Sequence, residues 1–295
     1  MSRNNSVQEL TLTYTYLIKN CEPKTVTAAR VVGLLDRARD YLAEVEDGAG
    51  EAEVVKARVY FRNAANTLLK RADWIGDDAR RSLLDFISEQ PEYLSEGDYK
   101  FTYDYFSDNI GRWRIDLARF AGRPGLSFLE VGSFEGKSTC WLLQNILTHE
   151  TSRMTCIDVF YEEKSQGSYD TTGLDSYAMS LEDRFEHNVR QTGARDRVKK
   201  VVGLSGAMLR TLEPSSYDFI YIDGSHIAAD VLEDAVLAWQ LLKPGGVMTF
   251  DDYLWQEHQD PLLCPQLAID AFLKVFEGRY RLLHQAYQVT LEKLP

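Results

Sequence analysis

The sequence lacks the features that mark membrane, disulfide-rich and secreted proteins. None of its apolar runs approaches the roughly 20 residues that span a bilayer. The segment from Met1 to Leu10 is polar and contains no signal-peptide core. Only four cysteines occur among 295 residues, and no two of them form a CxxC pair. We therefore expect a cytoplasmic protein with reduced thiols, no zinc site and no membrane contact.

The chain also lacks the excess of positive charge that is typical of nucleic-acid-binding proteins. Lysine and arginine number 33 against 45 aspartates and glutamates, which gives a formal net charge of −12. The first hundred residues contain 14 basic and 17 acidic side chains, and the remainder contains 19 and 28. An acidic surface repels phosphate backbones, so we expect no nucleic-acid partner. Such a surface is compatible with a cationic ligand or a bound metal.

The first third of the chain shows helical periodicity. Apolar residues recur on one helical face over 25–45, 55–72 and 83–87. Alternation over 10–18 favours a strand, although a helix also fits. We assign residues 1–97 to a mainly helical accessory region, whose helices we expect to pack together and to form a homo-oligomer.

From residue 126 onward, short apolar runs alternate with helical segments. We predict strands at 127–131, 154–158, 198–203, 217–223 and 246–252, and a closing hairpin over 280–291. This alternation is typical of an α/β protein in which helices cover both faces of a parallel sheet. We assign residues 98–295 to a catalytic domain. In such sheets ligands bind beyond the carboxyl ends of the strands.

A glycine-rich turn follows the first predicted strand, in the sequence EVGSFEGKS. Gly132 and Gly136 let the backbone turn sharply and approach a ligand, and the next helix directs its amides toward the same place. The turn is neither GxGxxG nor a phosphate loop, and an ordinary strand-to-helix turn is the alternative. Asp158 ends the second strand, where a carboxylate either accepts both hydroxyls of a ribose or caps a loop. Ser205, after the third strand, either caps the next helix or borders an adenine.

Three aspartates and a histidine follow the fourth and fifth predicted strands. Asp223 ends the fourth strand, and Asp251 and Asp252 end the fifth. Carboxylates gathered at one edge need a neutralising positive charge, and magnesium or calcium prefers several oxygen ligands. The alternative leaves Asp252 in solvent and Asp251 as a helix cap. His226 is a candidate general base, although a lone histidine is more often structural.

At these motifs the chain resembles the class I S-adenosylmethionine-dependent methyltransferases. The resemblance rests on FLEVGSFEGKS, CIDVF, YDFIYIDGSH and LLKPGGVMTFDDY, and it extends from about residue 126 to the C-terminus. It implies a Rossmann-like seven-stranded methyltransferase sheet with helices on both faces, and S-adenosyl-L-methionine as cofactor. The cofactor contacts that it implies are Glu130, Gly132, Ser133, Gly136, Ser138, Asp158 and Ser205.

Within that superfamily, IDGSH followed by DD resembles the metal-dependent O-methyltransferases of natural-product pathways, such as the macrocin and mycinamicin sugar O-methyltransferases. This resemblance implies Mg²⁺ on Asp223, Asp251 and Asp252, with His226 and Asp223 as catalytic residues. The second ligand in such enzymes can be Glu, where this chain has Asp251. The implied acceptor is a small-molecule hydroxyl, for example one of a vicinal diol on a sugar or phenol. Two polar loops, 160–177 and 253–264, are expected to overhang the acidic residues.

Three other functions fit the sequence. In the first, His226 alone deprotonates an oxygen or nitrogen acceptor without a metal. In the second, the chain is a relative of the cephalosporin-hydroxylase-type proteins, which look similar around the metal site. In the third, it is a non-catalytic binding or scaffold protein whose helical first part makes the contacts.

Overall fold

The computed structural model describes residues 28–46, 50–71, 76–160, 178–255 and 260–295. The alternating segment 10–18 and nearly all of the predicted loop 160–177 lie outside these residues. The chain divides into two compact units. The described residues of the first unit are those up to Asp104 together with 178–180, and the second unit contains the others, from Tyr105 onward.

The first unit contains three helices that pack around a common apolar core. They are α1 (Ala28–Glu46), α2 (Glu51–Arg71) and α3 (Asp77–Ser88). Each helix contributes residues spaced three or four apart to this core, among them Val31, Leu35, Ala38, Phe61, Ala65, Leu83 and Phe86. Such spacing places side chains on one face of a helix. The helices predicted for this region from periodicity are therefore confirmed.

The second unit is built on a seven-stranded sheet. Its strands are β1 (Ser127–Val131), β2 (Arg153–Asp158), β3 (Val198–Val202), β4 (Tyr217–Ile222), β5 (Leu242–Phe250), β6 (Tyr280–Gln285) and β7 (Val289–Lys293). The strand order is β3-β2-β1-β4-β5-β7-β6. The first five strands are parallel, whereas β7 is antiparallel to both of its neighbours. The seven-stranded sheet is confirmed, and it is mixed because β6 and β7 form a hairpin.

Helices cover both faces of this sheet, as predicted. They are α4 (Ile110–Asp116), α5 (Lys137–Asn145), α6 (Leu181–Gln191), α7 (Ser205–Leu209), α8 (Ala228–Leu241) and α9 (Pro265–Val275). On one face, Leu129 and Val131 of β1 belong to a core with residues of α8 and α9. On the other face, the ring of Phe128 lies 5.5 Å from that of Phe120, and Glu130 bonds to α5. None of the helices formed by the described residues has the length and apolar character to cross a membrane.

Backbone hydrogen bonds continue past the strands and hold their carboxyl ends at one edge. The donors and acceptors are Gly203 N to Asp158 O (3.0 Å), Gly132 N to Ile157 O (2.9 Å), Asp223 N to Val131 O (2.8 Å) and Asp251 N to Ile222 O (3.0 Å). The strand order reverses between β1 and β4, which are parallel neighbours, so this edge contains the switch point at which α/β sheets bind ligands.

Candidate active site

The glycine-rich turn lies directly against the end of β4. Gly132 has φ +84°, a left-handed conformation that glycine adopts without strain. A Cβ placed on it would lie 1.8 Å from the carbonyl oxygen of Asp223. Gly136, at φ +79°, would bring a Cβ to 2.9 Å from the ring of Phe185. The two glycines are thus required by close packing within the protein.

Two residues predicted to bind the cofactor bond to each other. Glu130 is fully buried in β1, and the hydroxyls of Ser138 and Thr139 in α5 donate to its two carboxylate oxygens. Burial raises the pKa of Glu130 to about 7, although these hydroxyl groups lower it. Glu130 and Ser138 therefore fasten the strand to the helix on either side of the turn. Ser133, within the turn, is buried.

Asp158 lies at the end of β2, as predicted, and is bonded to the turn after β1. Its Oδ2 accepts a hydrogen bond from Phe134 N and its Oδ1 accepts one from Phe160 N, each at 2.8 Å. Burial raises the pKa of this carboxyl, although both amides oppose the shift. A carboxylate oxygen has two lone-pair sites, so Asp158 can accept hydroxyl groups in addition to these amides.

His226 and Asp252 form a close pair beyond β4 and β5. The imidazole Nε2 of His226 lies 2.7 Å from Asp252 Oδ2, and the hydroxyl of Tyr287 donates to Asp252 Oδ1 at 2.8 Å. Asp252 has φ +58°, which is unusual for a residue with a side chain. The ring of Trp255 lies 4.3 Å from that of His226, centroid to centroid. A carboxylate in this position orients an imidazole.

Asp251 accepts hydrogen bonds from other groups of the protein. The hydroxyl of Tyr221 donates to its Oδ2, and Asp252 N donates to its Oδ1 at 2.8 Å. Burial, together with the charge of Asp252, raises the pKa of Asp251 to about 6. Burial and the charges of Asp251 and Asp252 raise the pKa of Asp223 well above its usual range. The three aspartates thus lie close enough for their charges to repel one another.

The residue types in this acidic cluster suit a hard cation, but their arrangement here does not form a metal site. Over the ranges that the structure describes, no group of three or more His, Cys, Asp or Glu side chains is placed to hold a metal ion. Each carboxylate oxygen of Asp251 and Asp252 instead contacts a group of the protein, from Tyr221, His226, Tyr287 or the backbone.

Ser205 is the first residue of α7 and does not cap it. The N-cap position is held by Leu204, and no side-chain cap bond is made. The Ser205 side chain instead hydrogen-bonds with the buried carboxyl of Asp234 in α8, and this bond lowers the pKa of Asp234. Burial outweighs that effect and raises the pKa of Asp234 to about 7. Ser205 therefore connects α7 to α8.

Several interactions of the site were missed in the sequence. Arg184 Nε lies 2.7 Å from Oε1 of Glu135 in the glycine-rich turn, and both side chains are buried. Trp113 Nε1 donates to Gln288 Oε1 at 2.7 Å, and Gln288 in turn donates to the hydroxyl of Tyr221 at 3.4 Å. Tyr221 lies only two residues before Asp223, and a polar group inside a buried strand was a visible signal. The pairs Arg184–Glu135 and Trp113–Gln288 gave no such signal, because their members are 49 and 175 positions apart in the sequence.

The part of the chain that forms this site is similar to a known family. Residues 129–253 match the family model described as "Methyltransferase domain". This region contains the glycine-rich turn, Asp158, His226 and the three aspartates. It is a methyltransferase domain. The match confirms the prediction of a class I S-adenosylmethionine-dependent methyltransferase. No curated protein matches the sequence at a significant level.

Solved structures of methyltransferases are similar to this chain at low identity. An O-methyltransferase from Bacillus cereus in complex with SAH is 17% identical, with 80% of this chain and 100% of that chain covered and a TM-score of 0.45. The O-methyltransferase NovP is 19% identical, covering 64% and 79%, with a TM-score of 0.46. MycE of the mycinamycin pathway, in complex with Mg and SAH, is 14% identical, covering 65% and 51%, with a TM-score of 0.43.

Proposed function

We propose that the protein is an O-methyltransferase that transfers the methyl group of S-adenosylmethionine to a hydroxyl of a small molecule, with His226 as general base. The observation that carries this proposal is the 2.7 Å contact between His226 Nε2 and Asp252 Oδ2 at the ligand-binding edge of the sheet. A small acceptor is favoured over a nucleic acid because the formal net charge is −12.

The residues at the edge suit the cofactor. Asp158 is fixed beside the glycine-rich turn through Phe134 N, and its remaining lone pairs can accept the hydroxyls of a ribose. Gly132 brings the backbone of the turn against Asp223, so the cofactor residues and the acidic residues belong to one continuous edge. When bound, the cofactor supplies an electrophilic methyl group on a sulfonium.

The chain must then position an acceptor and remove its proton. A bound cofactor would supply its methyl carbon to the acceptor oxygen, and the electron pair of the broken carbon–sulfur bond would remain on sulfur. The hydroxyl proton passes to the imidazole of His226, which Asp252 orients through Nε2. Asp252 stabilises the resulting imidazolium, and Tyr287 holds Asp252 in place through its hydroxyl. Alignment of the acceptor beside the methyl group supplies much of the remaining rate enhancement.

The proposal is tested by offering the protein labelled S-adenosylmethionine with a panel of sugar diols, catechols and matched amines. We expect label on hydroxyl products. Label confined to amines would contradict transfer to oxygen. Absence of cofactor binding in calorimetry would contradict the enzyme function itself.

A second candidate keeps this reaction and adds a divalent cation, Mg²⁺, on Asp223, Asp251 and Asp252. It is supported by the raised pKa values of Asp223 and Asp251, because mutual repulsion among buried carboxylates is a cost that a cation would remove. A bound cation would also lower the pKa of an acceptor hydroxyl. The carboxylates would have to leave their present partners in order to hold it.

The two candidates are distinguished by thermal unfolding and turnover with and without Mg²⁺. If the cation binds, Mg²⁺ raises the unfolding temperature of the wild type and of Asp183→Asn, an exposed control, but not that of Asp223→Asn. Turnover is then lost in excess chelator and restored by Mg²⁺. Full turnover in excess chelator would favour the metal-free reaction.

A further inference from the structure

A single carboxylate joins the two segments that border the predicted cofactor site. Asp158 accepts Phe134 N on one oxygen and Phe160 N on the other, both at 2.8 Å. Phe134 lies in the glycine-rich turn after β1, and Phe160 lies two residues beyond the end of β2. The chain leaving β1 and the chain leaving β2 are therefore held to the same side chain.

Both amide donors belong to residues with strained backbones. Phe134 has φ +46° and Phe160 has φ +47°. Within the described ranges, the other non-glycine residues with positive φ are Ser215 and Asp252. A left-handed conformation is unfavourable for an L-residue, and phenylalanine lacks the short polar side chain that lets Asn or Asp adopt it. A compensating interaction must hold each phenylalanine in this state.

The rings on either side of the carboxylate differ in how firmly they are packed. Phe160 is buried, its ring lies 4.9 Å from that of Phe185 in α6, and Lys200 Nζ lies 5.6 Å from its centroid. Phe134 is half-buried, and its ring lies 6.2 Å from that of the exposed Tyr105. Packing thus supports Phe160 strongly, whereas Phe134 depends more on its hydrogen bond to Asp158.

We propose that Asp158 is a positioning residue that holds the glycine-rich turn in its cofactor-binding form by fixing the left-handed backbone of Phe134, separately from any bond that it makes to a ribose. The proposal rests on the proposed function, because it takes S-adenosylmethionine as the ligand of this turn. We call the two hydrogen bonds from Phe134 N and Phe160 N to Asp158 the clamp. Without the clamp, Phe134 relaxes to negative φ and the neighbouring amides of the turn change direction. If the turn is already ordered before binding, less conformational entropy is lost when the ligand binds.

The experiment compares glycine with alanine at position 134 in a chain whose clamp is broken. Asp158→Asn leaves one acceptor oxygen, so the side chain cannot accept from both amides as the carboxylate does. Adding Phe134→Gly removes the left-handed strain, because glycine adopts φ +46° freely. Adding Phe134→Ala removes the same ring but keeps the strain, and it is the matched control.

Binding of S-adenosylhomocysteine is measured by calorimetry for the wild type, Asp158→Asn and both double variants. We expect Asp158→Asn to weaken binding, and Phe134→Gly to restore about tenfold over Phe134→Ala, the equivalent of the roughly 1–2 kcal/mol of left-handed strain. Equal affinities of the two double variants would overturn the proposal, since a role confined to the ribose gives no advantage to glycine.

Unfolding of the ligand-free variants provides a readout that does not depend on the cofactor. The clamp predicts a lower unfolding temperature for Asp158→Asn, and partial recovery with Phe134→Gly but not with Phe134→Ala. If the wild type binds no S-adenosylhomocysteine but shows this recovery, the proposed function fails and the clamp itself stands. If neither binding nor unfolding distinguishes glycine from alanine, the clamp is wrong.

Discussion

Gly132 meets the main chain of Asp223 so closely that a Cβ on Gly132 would lie 1.8 Å from the Asp223 carbonyl oxygen. The same two residues are adjacent in the backbone ladder, where Asp223 N donates to Val131 O at 2.8 Å. The glycine-rich turn and the acidic end of β4 therefore cannot move apart or approach independently. This contact couples the cofactor residues to the residues that surround His226.

Gly132→Ala should be strongly destabilising. The new methyl group meets backbone rather than a movable side chain, so β1 and β4 must separate, at a cost of about 3 kcal/mol in the free energy of unfolding. Chemical denaturation measures the loss, and calorimetry should show weaker binding of S-adenosylhomocysteine.

Gly125→Ala is the matched control for this prediction. Gly125 also has a left-handed backbone, at φ +69°, but a Cβ there would meet nothing within 4 Å. Its substitution should therefore cost only the conformational strain, roughly 1 kcal/mol. Equal losses for the two variants would show that the contact with Asp223 has no energetic consequence.

His226→Gln should slow methyl transfer by about 10²–10⁴-fold with little change in cofactor affinity, because it removes the proton acceptor and leaves the turn intact. Single-turnover rates with labelled cofactor measure the chemical step. His187→Gln, on α6, is the control and should retain the wild-type rate. Retention of that rate in His226→Gln would remove the histidine as base.

Arg184→Met should destabilise the second unit by about 3–5 kcal/mol. It leaves Glu135 buried without its cationic partner, which costs more than the ion pair contributes. The double variant Arg184→Met with Glu135→Met should recover most of the loss, and the cycle is measured by chemical denaturation. Arg210→Met, which breaks an exposed pair with Glu233, should change stability little. A double variant as unstable as Arg184→Met would contradict this reasoning.

Glu130 should make the folded protein less stable as pH rises from about 4.5 to about 7. Burial raises its pKa from 4.5 to about 7 in the folded state, so over this interval the unfolded chain releases the proton and the folded chain keeps it. The stabilisation is complete below the unfolded pKa and lost by the folded pKa, a change of about 3 kcal/mol. Glu130→Gln removes this dependence.

The measurement is the difference in unfolding free energy between the wild type and Glu130→Gln at pH 5.5 and pH 8. Relative to the wild type, Glu130→Gln should be more stable at pH 8 than at pH 5.5. Glu186→Gln is the comparison, since Arg195 and Lys200 lower the pKa of Glu186 to about 2, outside this interval. If the stability difference between Glu130→Gln and the wild type changes as little with pH as the difference for Glu186→Gln, the raised pKa of Glu130 is contradicted.

Much of the fold could be predicted because periodicity is a local property. The predicted strand 127–131 coincides with β1, and the others differ from the observed strands by a few residues at their ends. The carboxyl-end rule then placed Asp158, Asp223, Asp251 and Asp252 at one edge without any knowledge of packing. That rule does not identify the partner of each carboxylate. The interpretation of Ser205 as a helix cap failed for this reason, because its side chain bonds to the carboxyl of Asp234.

The sequence by itself determined the alternation of strands and helices, the glycine-rich turn and the acidic edge, because each follows from residue types within a few positions of one another. Tertiary structure alone decided that Asp158 binds the amides of Phe134 and Phe160, that Asp252 faces His226 and Tyr287, and that β7 lies between β5 and β6. These contacts join segments that are distant in the chain. Their geometry depends on how whole elements pack, and no local pattern encodes it.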